Sequence, residues 1–163
     1  MRPIGYWLSA ALPCLLVHTS TGAVDDAIRM PAGYRDWPVI TVAHEAGSFN
    51  DLRAVLGNEV AIKAFRGGTR PFPDGSIIAR LAWRYVPSPQ NDAVFGQTQS
   101  SVAGAATNVQ FMVKDSKRFA ATGGWGFAQF DAGQPVKPAA LASCFPCHRQ
   151  ITPQDLVFSH YSP

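Results

Sequence analysis

The chain has 163 residues, of which 47% are hydrophobic and 15% are charged. This length and composition suit one folded domain with an apolar core, and they exclude a disordered chain and a coiled coil. The formal net charge is only +3 and the basic residues are scattered, which disfavours nucleic acid and acidic partners.

The N-terminal segment has the organisation of an export signal. Arg2 provides a basic start, and residues 4–17 form an apolar run of about 14 residues, which is too short to span a bilayer comfortably. A small residue, Ala23, stands at the predicted cleavage point. We therefore expect a signal peptide over residues 1–23 and a single domain over 24–163. We also expect no membrane span after cleavage and, if the source is a Gram-negative bacterium, a periplasmic location.

The first half of this domain is predicted to contain two strands and one helix. In chain order the pattern predicts a strand over 34–45, a loop over 46–51, a strand over 52–57, a helix over 59–66 and a turn over 70–76. Asn58 is a typical N-cap for the helix, and Gly67 and Gly68 end it.

The second half is predicted to be rich in strands. Residues 77–86 alternate between two faces, with Ile77, Ala79, Leu81, Trp83 and Tyr85 on one of them. The pattern then predicts a long loop over 87–107, strands over 108–114 and 125–131, a loop over 133–138, a short helix at the cysteines and an irregular tail. Because successive strands lie close in sequence, we expect a mainly β (α+β) fold. An antiparallel sheet would carry a few short helices, of which the C-terminal one holds the two cysteines.

The stretch "SCFPCHRQ" (143–150) contains the pattern C-x-x-C-H, which is typical of covalent haem c attachment. Two cysteines one helical turn apart can each add to a vinyl group of the same porphyrin, and the adjacent histidine then projects towards the iron. One motif predicts one haem c, bound through Cys144 and Cys147, with His148 as the iron ligand.

Three other uses of this motif are less favoured. A structural zinc site needs four ligands, and only His44 and His160 remain as further candidates. A thiol oxidoreductase would carry its cysteine pair after an early strand of a βαβ unit rather than near the C-terminus. A disulfide between residues three apart closes a very small loop and stabilises little.

The group on the other side of the iron separates two functional classes. An electron carrier has a sixth protein ligand, whereas an enzyme or a gas-binding protein leaves that position open. The candidate sixth ligands are Met30, His44, Met112 and His160. Each of them is more readily interpreted as a packing or solvent-facing side chain, which favours an open site.

Taken together, these stretches resemble the cytochrome P-460 family and its close relatives, the cytochromes c′-beta. The matching stretches run in the family's order over nearly the whole domain: 34–37, 71–80, 112–120, 123–127, 144–148 and 155–158. The resemblance implies a mostly antiparallel β fold, usually homodimeric, with one five-coordinate haem c. It also implies small nitrogen compounds as ligands or substrates: hydroxylamine for the P-460 enzymes, and nitric oxide and carbon monoxide for the c′-beta proteins, some of which show peroxidase-like behaviour.

One departure from the family pattern concerns a lysine that is cross-linked to the haem in the hydroxylamine oxidisers. Arg80 stands at the corresponding position, and a guanidinium is a very poor nucleophile, so we do not expect the cross-link. Lys63 is the nearest upstream lysine and is expected to face water. Arg80 is either a surface charge or a distal-pocket residue that stabilises a bound ligand. Arg53 is a second candidate for the same pocket.

Other side chains around the predicted haem have open assignments. Four aromatic residues could cap the site or simply pack in the core: Trp83, Phe111, Trp125 and Phe127. Asp155 could accept the N–H of His148 and thereby tune the iron, or it could pair with an arginine.

The sequence therefore predicts an exported mono-haem c-type cytochrome whose open distal site binds or turns over small nitrogen oxides, above all nitric oxide, or peroxide. Gas binding and haem oxidoreductase activity both remain open. A hydroxylamine-oxidising enzyme and an electron-transfer cytochrome with Met112 or His44 as sixth ligand are the alternatives. The expected partners are a small gaseous or nitrogenous ligand, a second copy of the chain and a redox partner protein.

Overall fold

The computed structural model describes residues 27–162. The predicted signal peptide over 1–23 lies outside the described residues. Within the described part of the chain, no helix is both long enough and apolar enough to cross a membrane.

A single six-stranded antiparallel sheet forms the framework of the domain. Its strands are β1 (Val39–Glu45), β2 (Asp51–Gly57), β3 (Ile77–Pro87), β4 (Ser101–Lys114), β5 (Trp125–Asp131) and β6 (Gln134–Pro135). The spatial order is the sequence order, β1 to β6, so each strand pairs with the next one along the chain. The mainly β, antiparallel prediction is confirmed.

Within residues 27–162, three short helices accompany the sheet: α1 (Glu59–Arg66), α2 (Pro89–Phe95) and α3 (Cys144–His148). Short 3₁₀ turns cover Tyr34–Asp36, Ala120–Thr122, Pro138–Leu141 and Arg149–Gln154. The predicted cap of α1 is confirmed, because the Asn58 side chain accepts a hydrogen bond from the Ala61 N–H at 3.0 Å. The same oxygen accepts the N–H of Ile77 at 3.0 Å, which ties the start of α1 to the start of β3.

Three sequence predictions about element positions are wrong in part. The predicted loop over 87–107 contains α2 and the first half of β4, and the predicted loop over 133–138 contains β6. The strand predicted from residue 34 begins at Val39, because Tyr34–Asp36 form a 3₁₀ turn. The missed half of β4 has few β-branched or large apolar residues, so its strand character comes from pairing with β3 rather than from local preference.

The two faces of the sheet are covered by different parts of the chain. One face, called here the helix face, carries Val55, Ile78 and Trp125 and packs against α1 and the C-terminal segment. The other, called the N-terminal face, carries Leu81, Phe111 and other apolar side chains that pack against residues 28–37. The alternation predicted for residues 77–86 is confirmed, since Ala79 and Leu81 lie on the N-terminal face and Ile78 on the helix face.

Candidate functional site

Helix α3 presents the two thiols of the C-x-x-C-H motif from one side of a single turn. Cys144 is half-buried and Cys147 is exposed, and among the described residues neither forms a disulfide. Burial raises the pKa of the Cys144 thiol, and the nearby Cys147 adds to this effect. Residues three apart on a helix lie on the same face, so both sulfur atoms can reach one large group placed beside α3.

The His148 ring is half-buried between two phenylalanines. Its centroid lies 5.1 Å from that of Phe127, on β5, and 5.1 Å from that of Phe158, in the C-terminal tail. The Nδ1 atom lies 2.7 Å from the Leu156 carbonyl oxygen. A carbonyl can only accept, so Nδ1 carries the proton and Nε2 keeps its lone pair.

Burial also favours the neutral form of this imidazole. Desolvation lowers the pKa of His148, and the hydrogen bond to the Leu156 carbonyl offsets this only in part. A neutral imidazole with a fixed Nδ1–H is the form that binds a metal through Nε2.

The first predicted role of Asp155, as the acceptor for His148, is wrong, and the second, a pairing with an arginine, is met only in part. The acceptor for His148 is the carbonyl of Leu156, not the carboxylate of Asp155. The carboxylate forms its ion pair with Lys114, at 2.7 and 3.0 Å from Nζ. Its charge also attracts Arg70, because burial lowers the pKa of Arg70 and Asp155 opposes this shift. A sequence pattern does not reveal a backbone carbonyl as a histidine partner, so this contact could not be found before the structure.

A group of polar side chains around Arg80, called here the polar row, lies on the helix face beside Phe127, the residue whose ring contacts His148. Besides Arg80, the polar row comprises Asp51, Arg53 and Glu45. The strand register places Arg80 opposite Val55 and Gln110, one row away from the pair formed by Met112 and Phe127. Two residues along a strand correspond to about 7 Å. The structure therefore puts Arg80 on the same sheet face as the ring that His148 touches.

The side chain of Arg80 makes hydrogen bonds to three neighbours, which use three of its five N–H donors. It donates to Asn108 at 3.0 Å, to Gln110 at 3.1 Å and to the Asp51 carboxylate. Asp51 also accepts two hydrogen bonds from Arg53, at 2.8 and 2.9 Å. The two predicted distal arginines are thus brought together by Asp51, a residue that the sequence interpretation did not single out.

The charges around Arg80 and Arg53 are balanced by carboxylates, so the two guanidinium groups act as hydrogen-bond donors and not as unpaired cations. Desolvation and the neighbouring Arg53 lower the pKa of Arg80, whereas Asp51 raises it. Arg53 makes a further ion pair with Glu45 at 3.0 Å. Each guanidinium therefore has a carboxylate partner, and neither is an isolated surface charge.

The candidate sixth ligands occupy different parts of the fold. Met112 is half-buried on the helix face, paired with Phe127 across β4 and β5. Met30 packs with the N-terminal face. His44 is exposed, stacks on Tyr85 at 4.1 Å and hydrogen-bonds Asn50 at 3.2 Å. His160 is exposed in the C-terminal tail. Lys63 is exposed, as predicted.

Only some of the predicted aromatic caps lie near His148. Phe127 contacts its ring, and Trp125 lies fully buried on the same face. Phe111 and Trp83 belong to the cluster on the N-terminal face, so they pack in the core on the side of the sheet away from His148.

Two cavities lie mainly on the N-terminal face. The larger, of about 520 Å³, lies beside Val42, His44, Leu52 and Trp83. The smaller, of about 350 Å³, lies beside Met30 and other residues of the N-terminal face. Neither cavity is lined by the cysteines or His148, whereas Arg53, the second predicted distal residue, lines the larger one.

The donor set suits a large flat group better than a single ion. Within residues 27–162, no three His, Cys, Asp or Glu side chains are arranged to hold a metal ion. A structural zinc site would need four such ligands at one point. Two thiols one turn apart and an imidazole with a free Nε2 are instead the attachment points that a c-type haem requires.

A comparison with protein families agrees with this interpretation. The family model described as Cytochrome P460 matches residues 31–159, which include the C-x-x-C-H motif and all six strands of the sheet. A comparison with curated proteins finds no match.

Proposed function

Because the chain belongs to the cytochrome P460 family and is thereby a haem c cytochrome, we propose that it carries one covalent haem with an open distal position. That position binds or turns over small nitrogen oxides, above all nitric oxide, or peroxide. The observation that carries the proposal is the hydrogen bond of 2.7 Å between His148 Nδ1 and the Leu156 carbonyl. It leaves Nε2 as the only metal-binding atom of a neutral ring.

Each residue of the motif has a distinct task in this proposal. Cys144 and Cys147 form the two thioether bonds and fix the haem beside α3. His148 binds the iron through Nε2, while Phe127 and Phe158 hold the plane of its ring. The haem, when bound, supplies an iron with a vacant coordination position at which a small ligand can bind.

An open distal position is supported by where the alternative ligands lie. Met30 packs with the N-terminal face and His44 is held by Tyr85 and Asn50. Met112 shares the helix face with His148, but its side chain packs against the buried core cluster there. An electron carrier with Met112 as sixth ligand would require this packing to be broken.

Arg80 and Arg53 are proposed to line the distal side of the site. Of the two, Arg80 lies closer along the sheet to Phe127, because its row adjoins the row of Phe127. Its charge is shared with Asp51, so it acts as a fixed hydrogen-bond donor rather than as a free cation. A guanidinium stays protonated and does not attack a porphyrin, which favours an uncross-linked haem over the hydroxylamine-oxidising type.

The first test is the composition of the purified protein. The chain, matured with the c-type biogenesis machinery, should carry the added mass of one haem, and a Cys144→Ala, Cys147→Ala variant should lose it. Ser143→Ala, next to the motif but outside it, is the matched control. Colourless wild-type protein at bare polypeptide mass would overturn the proposal.

The second test is spectroscopic and separates the candidate functions. Ferric and ferrous absorption spectra should be high-spin and should change when nitric oxide is added. A low-spin spectrum that is indifferent to nitric oxide would support the electron carrier, and steady turnover of hydroxylamine with an electron acceptor would support the P-460 activity.

The proposal also includes export of the chain by a signal peptide and its assembly into a homodimer. Cleavage after Ala23 would be seen as a mature N-terminus at Val24 when the secreted protein is sequenced. A homodimer is supported by exposed apolar side chains on and beside the hairpin of β3 and β4, among them Val94 and Phe95, which are 79% and 59% exposed. Light scattering of the wild type and of Val94→Asp tests it. A redox partner protein is needed only if the site turns over its ligand.

A further inference from the structure

Two consecutive residues after α3 hold an unusual backbone conformation. Asp155 and Leu156 have φ values of 51° and 65°, in the left-handed region, although neither is glycine. Such a conformation costs about 1–3 kcal/mol per residue and persists only where the surroundings impose it. It is especially unfavourable for a large side chain such as leucine.

Three separate parts of the chain impose this conformation by binding Asp155. Its carboxylate accepts from Lys114 Nζ, at the end of β4, at 2.7 and 3.0 Å. The same carboxylate accepts the N–H of Phe72 at 2.7 Å. Its main-chain carbonyl accepts the indole N–H of Trp125 at 2.8 Å.

The side chains that hold Asp155 in place are shielded from solvent. The side chains of Lys114 and Asp155 are 6% and 12% exposed, and Trp125 is fully buried. Lys114 Nζ also lies 5.0 Å from the centre of the Trp125 ring. A buried ion pair of this kind is costly to break because it leaves a charge without its partner.

The anchored turn is the segment that delivers the acceptor for His148. The torsions of residues 155 and 156 set the direction of the Leu156 carbonyl, which lies 2.7 Å from His148 Nδ1. Leu156 itself is only 4% exposed and packs in the core cluster. The strained backbone is therefore fixed at both ends, and its carbonyl has one orientation.

We propose that Lys114 and Asp155 are positioning residues for His148, which act through the Leu156 carbonyl and never touch the ring. The inference rests on the proposed function, in which His148 Nε2 binds the haem iron. A fixed acceptor at Nδ1 makes the imidazole a stronger donor to the metal. Loosening the acceptor weakens the iron–histidine bond and disfavours the ferric state.

The test compares the iron–histidine stretching band of the ferrous holoprotein, measured by resonance Raman spectroscopy, among variants of the ion pair. Lys114→Met keeps most of the length of the side chain and removes its charge. Asp155→Ala removes the carboxylate and the short polar side chain that tolerates the left-handed region. Both should shift the band to lower frequency and broaden it.

Two further variants, an intermediate substitution and a control, test whether the change in the band is specific to the ion pair. Asp155→Asn keeps one acceptor and tolerates a positive φ, so its band should lie between those of the wild type and Asp155→Ala. Asp92→Asn removes a carboxylate on α2 that accepts the N–H groups of Gln99 and Ser100, and its band should stay at the wild-type position. If Asp155→Ala fails to fold, Lys114→Met and Asp155→Asn still test the proposal.

The failure of this inference differs from the failure of the proposed function. A wild-type protein without haem mass or without an iron–histidine band overturns the function itself. A wild-type band that stays unchanged in every ion-pair variant that folds overturns the positioning role and leaves the function intact.

Discussion

The ion pairs around Asp51 predict that Asp51→Ala and Arg80→Met lower the free energy of unfolding by different amounts. Asp51 is the shared acceptor of Arg80 and Arg53, and its side chain is 6% exposed while both arginine side chains are 17% exposed. Replacing Asp51 by alanine leaves two part-buried guanidinium groups facing each other, of which Arg53 keeps Glu45 as a carboxylate partner and Arg80 keeps none. Replacing Arg80 by methionine leaves Asp51 with both hydrogen bonds from Arg53, at 2.8 and 2.9 Å.

The two changes should therefore differ in cost. Removing one partner of a buried ion pair and leaving the other charge uncompensated costs about 3–5 kcal/mol. Arg80→Met removes the charged hydrogen bond to Asp51, which costs about 1.5–3 kcal/mol. It also removes the bonds to Asn108 and Gln110, but these amides are only part-buried and can bond to water instead, so they add little. The double variant should recover part of the sum, with a coupling energy of about 0.5–3 kcal/mol, since the two groups are in contact.

Urea unfolding of the holoprotein, followed by far-ultraviolet circular dichroism, measures these free energies of unfolding. Glu45→Gln is the matched control, because Glu45 pairs with Arg53 but its side chain is 50% exposed. An exposed pair contributes about 0–1 kcal/mol. The reasoning is refuted if Asp51→Ala destabilises the protein no more than Arg80→Met, or if the double variant shows strict additivity.

Three further predictions concern ligand chemistry, acid stability and packing. Arg80→Met should slow peroxide turnover by about 100-fold, the low end for loss of a positioned donor, and an unchanged rate in stopped-flow absorbance would remove Arg80 from the distal site. Hydrogen bonds from the Ser116 hydroxyl and N–H lower the pKa of Asp74. The ionised carboxylate of Asp74 therefore stabilises the folded protein above its unfolded pKa of about 3.9. This stabilisation is lost as the pH falls through the lower pKa that Asp74 has in the folded protein. The difference in urea midpoint between the wild type and Asp74→Asn should accordingly shrink below that pH, and a difference independent of pH would contradict it. Gly126→Ala should lower the free energy of unfolding by about 1–3 kcal/mol, because the new methyl group would overlap the ring of Phe119; wild-type stability in urea titration would show that the ring moves aside.

Features determined by neighbouring residues could be predicted from the sequence. Asn58 and Gly67 delimit α1 by local capping chemistry, and the helix has the predicted bounds. The C-x-x-C-H motif is equally local, because one helical turn sets its spacing. The alternation of residues 77–86 correctly predicted which side chains of β3 share a face.

Features determined by strand register or by main-chain atoms could not be predicted. Asp51 meets Arg80 only because β2 and β3 pair with Val55 opposite Arg80, and no local pattern specifies that register. The first half of β4 lacks strand-forming residues and is ordered by β3. The acceptor for His148 is a carbonyl, which every residue possesses, so the Leu156 backbone gave no signal in the sequence.

The charge balance of the polar row bears on which ligand the proposed site would prefer. Arg80 and Arg53 are matched by Asp51 and Glu45, so the row offers hydrogen-bond donors without an excess of positive charge. A free arginine would attract an anion such as nitrite, whereas a neutralised one gains little from a charged ligand. The row therefore favours a neutral small molecule such as nitric oxide or hydrogen peroxide.

Asp51→Asn would free the arginine charge, and we expect it to strengthen nitrite binding relative to nitric oxide binding in parallel absorbance titrations. Equal changes for both ligands would show that the charge of the row does not reach the iron.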